Sequence, residues 1–164
     1  MKKQAVYLET SFINRLADPL KRDPLIRHEQ IDSREWWRDF RNHYALITSR
    51  ATIDECSQYP NERLIRLRRR YLAKTSTPRF STSELNKLVV ALRKPHGPLP
   101  TAEIVDATHI AAAAISGCRF LLTWNQKHIA NPFNREQVDN IVRRHGYETP
   151  ILLTPRQFLQ AASG

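Results

Sequence analysis

DATHIAAAAISGCRFLLTWNQKH, residues 106–128, joins a helix to a strand across a single glycine, and its reading sets the rest of the fold. From Thr101 to Ser116 the chain is apolar almost all round, with Ile104, Val105, Ala107, Ile110, four successive alanines and Ile115. Such a helix is buried, and alanine lets it lie close against a sheet. Gly117 is a natural stop, because a residue without Cβ enters the left-handed conformation at a helix end at little cost. CRFLLTW, residues 118–124, then reads as a buried strand that ends on polar Asn125.

The flanking sequence repeats this order of elements. Ala5-Val6-Tyr7-Leu8 is a short apolar run that stops at Glu9-Thr10-Ser11, a strand feeding a helix that Thr10 or Ser11 can cap. Residues 17–27 hold two prolines and no period, which predicts a loop. Ile31, Trp36, Trp37, Phe40 and Tyr44 predict an amphipathic helix over 29–44, with the tryptophan pair as packing rather than a base-stacking platform. Residues 44–48 read as a second strand, and Ser49 caps a helix through Cys56 that Pro60 closes. Helices follow over 61–73 and 84–93, separated by a Thr/Ser/Pro linker at 74–81 with room for a short edge strand. The C-terminal part adds a helix over 137–145, a strand at Ile151-Leu152-Leu153 and a helix over 155–162. Strands alternating with helices predict an α/β fold whose parallel sheet is covered on both faces, in one domain spanning 1–164.

Composition narrows the function. The 164 residues are 41% hydrophobic and 26% charged, with no segment near the roughly 18 apolar residues that span a bilayer. The N-terminus lacks the hydrophobic core of a signal peptide, which predicts a cytoplasmic location. Two cysteines without a CxxC pair argue against a disulfide framework or a thiolate zinc site, and both are expected to be buried thiols. A formal charge of +10 favours a polyanionic partner, nucleic acid or an acidic protein segment. Gly97, Gly117, Gly146 and Gly164 are scattered, so neither a dinucleotide fingerprint nor a P-loop can form. Any phosphate chemistry must use side chains and metal ions.

In open α/β sheets, ligands sit beyond the carboxyl ends of the strands. Glu9 and Asn125 follow two such ends, and Glu55 and Asp106 are expected near the N-terminal ends of two helices. A carboxylate within the apolar 101–116 helix is costly unless paired, hydrogen-bonded or metal-bound, which singles out Asp106. Each has a plainer reading: Glu9 as a turn residue beside a helix start, Glu55 as part of a capping-box mimic, Asp106 as the partner of an arginine, Asn125 as a cap for the turn before Gln126-Lys127-His128.

VYLETSFINRL, SRATIDEC, DATHIAAAAISGCRFLLTWNQKHI and ETPILLTP together resemble the PIN-domain family, in particular ribonucleases of the VapC toxin type and related stand-alone PIN proteins. The likeness covers about residues 5–156 and is most specific over Asp106–His128. It implies a three-layer α/β/α sandwich, an acidic quartet holding Mg2+ or Mn2+, and hydrolysis of RNA phosphodiester bonds, as in the toxin of a type II toxin–antitoxin pair. Carried over by position, Glu9, Glu55 and Asp106 match three acids, and Asn125 falls where many members carry a fourth. Glu9 stands where aspartate is common, and Asn125 is neutral, which should weaken a second metal site most. Glu103, three residues before Asp106, can restore the charge, or it is a solvated first-turn residue.

The chemistry expected of such ligands is a metal-activated water attacking the scissile phosphate in line. Thr10, Ser11, Thr123 and His109 are expected to support the ligands, with His109 read first as a hydrogen-bonded structural histidine. His128, Lys127 and, in the arginine-rich segment 63–70, Arg63, Arg66, Arg69 and Arg70 are candidates for gripping RNA or an acidic antitoxin, although charge runs on helices are commonly just solvated faces. The resemblance also suggests a small acidic antitoxin and a homodimer. The main rival is a catalytically weak PIN module that binds RNA or protein without cutting. Phosphotransfer through an aspartyl nucleophile is disfavoured, since Glu9-Thr10-Ser11 occupies the place that chemistry needs for aspartate.

Overall fold

A computed structural model describes residues 1–164. Its centre is a four-stranded parallel sheet of β1 (Ala5–Leu8), β2 (Ala45–Ile47), β3 (Phe120–Leu122) and β4 (Ile151–Leu153), in the order β2-β1-β3-β4. The register places Tyr7 beside Ile47 and Leu121, and Leu121 beside Leu152. Alternate residues of a strand face opposite sides, so these four side chains share one face, while Val6, Leu8 and Leu122 share the other. Both sides are buried, which is why the strands read as unbroken apolar runs.

Eight helices complete a three-layer α/β/α sandwich. On the Tyr7 face lie α5 (Thr82–Leu92), α6 (Ile104–Ile115) and α7 (Arg135–Arg144). Ala111, Ala112, Ala113 and Ala114 of α6 are all buried, and Gly117 ends that helix region with φ +68°. On the Val6 face lie α1 (Thr10–Ala17), α2 (Pro24–Phe40), α4 (Glu62–Leu72) and α8 (Pro155–Ala162). Trp36 is fully buried at the centre of this layer, with Phe12 and Phe158 edge-on at 5.5 and 5.8 Å. The tryptophan pair is therefore packing, as its spacing suggested. The last helix, α3 (Arg50–Ser57), follows the carboxyl end of β2 and touches both α1 and α6.

Several boundaries differ from the expected ones for local reasons. Helix α2 begins at Pro24, inside the expected loop, because Asp23 caps it by accepting the Ile26 amide at 3.0 Å and proline is preset for a first helical position. It stops at Phe40, and Tyr44 turns extended to pack against Phe120 and Phe158. Helix α6 begins at Ile104 instead of Thr101. The 74–81 linker supplies one bridge, in which the Ser76 amide donates to Leu46 O and its carbonyl accepts from Thr48 N, covering the outer edge of β2. Gly97 sits against the end of α5, where a Cβ would come 2.4 Å from Ala91 O and Leu92 C. Cys56 and Cys118 are free, buried thiols that desolvation pushes up to about 12. No helix is long and apolar enough to cross a membrane.

Candidate active site

Glu9 is the first residue beyond β1 and also the N-cap of α1. Parallel pairing of Leu8 with Leu122 brings Thr123 alongside it. Glu9 Oε2 accepts from Ser11 N at 2.9 Å, from Thr123 Oγ1 at 2.8 Å and from Ser11 Oγ. Ser11 Oγ in turn accepts the Trp124 amide at 2.7 Å, and Thr123 Oγ1 accepts the Asn125 amide at 2.9 Å. One carboxylate oxygen is thus fixed by three donors, two of them anchored to the segment after β3. The other, Oε1, makes no hydrogen bond, and His109 Nε2 lies 3.7 Å from it. The Glu9 side chain is only 7% exposed.

Glu55 reaches the same spot from α3. It lies in the second turn of that helix, not near its start as expected. Thr10 Oγ1 donates to Glu55 Oε1 at 2.5 Å, and His109 Nε2 lies 2.7 Å from the same oxygen. Partial burial pushes the Glu55 carboxyl up, but the hydrogen bonds from His109 and Thr10 and the attraction of the imidazole outweigh it, leaving it below the usual glutamate range.

His109 is fully buried on α6. Its Nδ1 is 2.8 Å from the hydroxyl of Tyr7, which also meets Ser49 Oγ at 2.6 Å and Thr52 Oγ1 at 3.4 Å. Burial raises the Tyr7 phenol well above its ordinary pKa, so the hydroxyl stays protonated. The structural reading of His109 describes its Nδ1 side; on its Nε2 side the ring faces two carboxylates. Oxygen and nitrogen atoms of Glu9, Glu55 and His109 all lie within 4.8 Å of one another.

Asp106 belongs to a second group. Glu103 is the N-cap residue of α6 and Asp106 lies in its first turn, where the helix dipole favours an anion. Asp106 Oδ2 is 2.8 Å from His128 Nδ1, and Glu103 Oε2 is 3.7 Å from the same nitrogen. Ligand atoms of these three also lie within 4.8 Å of one another. Glu9, Glu55 and Asp106 do not form one mutually close set; they divide between two groups. Asp106 and His109 sit three residues apart on α6, one turn along a shared face, and this links the groups. The environment of Asp106 is also less apolar than expected, since Ile104 and Val105 beside it are 52% and 42% exposed.

Asn125 takes its plainer role. Its Oδ1 accepts the His128 amide at 3.0 Å and so shapes the turn that presents His128 to Asp106. Lys127 is exposed, as are Arg63, Arg66, Arg69 and Arg70 on α4, and none bonds to either acidic group. Arg68, in the same run, is buried in a bidentate pair with Asp18 at 2.8 and 2.9 Å. Sequence reasoning missed Tyr7, Ser49 and Thr52 behind His109; the available signal was a tyrosine inside a buried strand, whose hydroxyl needs a partner. A cavity of about 180 Å3 lies nearby, behind Trp124, between α2 and α8, and includes no member of either group. No protein-family model and no curated protein matches this sequence.

Proposed function

We propose that this chain is a metal-dependent ribonuclease that hydrolyses RNA phosphodiester bonds with the two acidic groups at the carboxyl edge of its sheet. The observation that carries this reading is the convergence of buried Glu9 and partly exposed Glu55 beside His109, which lies one helical turn from Asp106. Two carboxylates this close repel unless a positive charge lies between them, and neither Glu9 nor Glu55 has a lysine or arginine partner. The donor set therefore fits a divalent cation, Mg2+ or Mn2+. Glu9 and Glu55 would hold it, with Asp106, backed by Glu103, at the same or an adjoining position. Such an ion, when bound, offsets the charge of a scissile phosphate and makes water acidic enough to serve as a nucleophile near neutral pH.

The chain's own residues supply positioning. Ser11 and Thr123 fix Glu9, Thr10 fixes Glu55, and Tyr7 fixes His109. His128, paired with Asp106, would contact a phosphate from the rim of the site. Hydrolysis with water attacking phosphorus and the 3′-oxygen leaving gives a 5′-phosphate and a 3′-hydroxyl. The net charge of +10 and the exposed arginines of α4 suit a polyanion, whether substrate RNA or an acidic antitoxin. The resemblance to VapC-type PIN ribonucleases extends the reading to a cytoplasmic, homodimeric toxin.

The test is RNA cleavage by Asp106→Asn and Glu9→Gln with Mg2+ or Mn2+. Both variants should be inactive while circular dichroism stays that of the wild type; undiminished cleavage by Asp106→Asn would remove the reading. One observation favours a second reading, a module that binds RNA or protein without cutting: Asn125 oxygen is committed to a turn and Asp106 is already paired with His128. Absence of Mn2+ binding by calorimetry, in wild type and in Asn125→Asp alike, would select that alternative.

A further inference from the structure

We infer that His109 is a direct ligand through Nε2, which makes the Glu9–Glu55–His109 group a mixed nitrogen–oxygen site for a first-row transition-metal dication in preference to Mg2+. This rests on the reading that the two carboxylates hold a cation at all, and it departs from the all-oxygen set that the PIN resemblance implies.

Three observations support it. The first is orientation. A ligating histidine almost always has its other ring nitrogen bonded to a fixed partner, which sets the tautomer and the ring angle. His109 is built that way: Nδ1 is held by Tyr7, whose hydroxyl is held by Ser49, while Nε2 points at Glu55 and Glu9. The second is the unpartnered oxygen. The Glu9 side chain is 7% exposed, its Oε2 has three donors, and its Oε1 accepts no hydrogen bond while lying 3.7 Å from His109 Nε2, with a Glu55 oxygen in the same 4.8 Å group. The third is the absence of any lysine or arginine at the two carboxylates, whose one basic neighbour within 4 Å is the His109 ring.

The proton arrangement allows ligation without adding charge to the ring. Ionised Glu55 can only accept, so its 2.7 Å contact places a proton on Nε2, and in the neutral ring Nδ1 accepts from Tyr7. With a cation on Nε2, that proton is lost to solvent and one is taken up on Nδ1, where Tyr7 oxygen accepts it. The Tyr7 hydrogen then turns to Ser49 Oγ, at 2.6 Å. Imidazole suits transition metals, whereas Mg2+ demands near-ideal octahedral oxygen ligation.

The experiment is calorimetric titration of the full chain with Mg2+, Mn2+ and Zn2+, for wild type, His109→Gln and Tyr7→Phe. Alongside it, the ring nitrogens of His109 in the wild-type protein are followed by NMR on adding diamagnetic Zn2+. Mn2+ and Zn2+ should bind at least about tenfold more tightly than Mg2+, and His109→Gln should erase most of that difference. Tyr7→Phe, which keeps the ring packing, should weaken Mn2+ binding by roughly tenfold or more through loss of the anchor. Zn2+ should move the Nε2 resonance. Almost any site prefers Zn2+ to some degree, so the deciding results are the His109→Gln effect and the wild-type resonance, the latter immune to misfolding of a variant. Binding that leaves Nε2 unmoved, or a preference unchanged in His109→Gln, overturns the inference. Should Mg2+ bind as well as Mn2+ and support RNA cleavage, the inference fails and the nuclease reading stands. Should Mn2+ bind through His109 without any cleavage, the reverse holds. No binding of any dication defeats both.

Discussion

The chain carries two groups of the same composition, two carboxylates and one histidine, in opposite settings. In Glu9–Glu55–His109 the histidine is fully buried and each member is tied to a different element: the end of β1, α3 and α6. In Glu103–Asp106–His128 all three are half-buried, two of them three residues apart at the start of α6 and the third in the turn after β3. Ligand type is therefore separable from ligand support. The inner group is continuous with the hydrophobic core through Tyr7, so its loss should be felt in folding as well as in chemistry. The rim group should be felt in chemistry alone.

The contrast is sharpest in stability. His109→Ala removes a fully buried ring and leaves the Tyr7 hydroxyl with a lost partner, so chemical denaturation should show a loss of about 3 kcal/mol. A loss under about 1 kcal/mol would erase the distinction between the groups. Thr123→Val deletes one of three donors to buried Glu9 at nearly constant volume and should cost about 1–3 kcal/mol by the same measurement. His128→Ala, at the rim, should change stability by no more than about 1 kcal/mol, as expected for partly exposed pairs, and on the proposed nuclease reading it should also reduce RNA cleavage. An effect as large as that of His109→Ala would mean that the rim is structural too.

The smallest effect is in acid. The folded-state pKa of Glu55 is depressed, so its interactions add stability above the ordinary glutamate pKa of about 4.3, and that contribution disappears as pH falls through the lower folded value. Melting temperature followed from pH 6 downward should therefore fall slightly more steeply in wild type than in Glu55→Gln. Parallel curves would show that the carboxylate is not held by His109 and Thr10 in solution.

Much of the fold was legible because burial on both faces writes itself into the sequence as continuous apolar runs. AVYL, ALI, the FLL of β3 and ILL mark the four strands, and the alanine stretch of α6 marks a helix buried against them. Glu9, Glu55 and Asp106 were legible as residue types at strand and helix ends. Their grouping was not. Which histidine meets which acid depends on contacts spanning 54 residues for His109 with Glu55 and 22 for His128 with Asp106, and no local pattern encodes those. The anchor behind His109 was hidden for the same reason, since Tyr7 lies 102 residues away and reads as one more apolar strand position. Arg68 was indistinguishable from its exposed neighbours until α4 was placed against the end of α1, where Asp18 receives it. Asn125 was ambiguous by chemistry, because an amide oxygen serves a turn and a cation equally well; here the His128 amide takes it.

Gly97 touches neither group, yet its position has a consequence for how this sequence can drift. Any side chain there would collide with the carbonyl end of α5, and relief would come from displacing the stretch that leads through Pro100 into Glu103 and Asp106. Random mutagenesis should therefore recover position 97 among the least tolerant in the chain, although a survey confined to acids and histidines would pass it by.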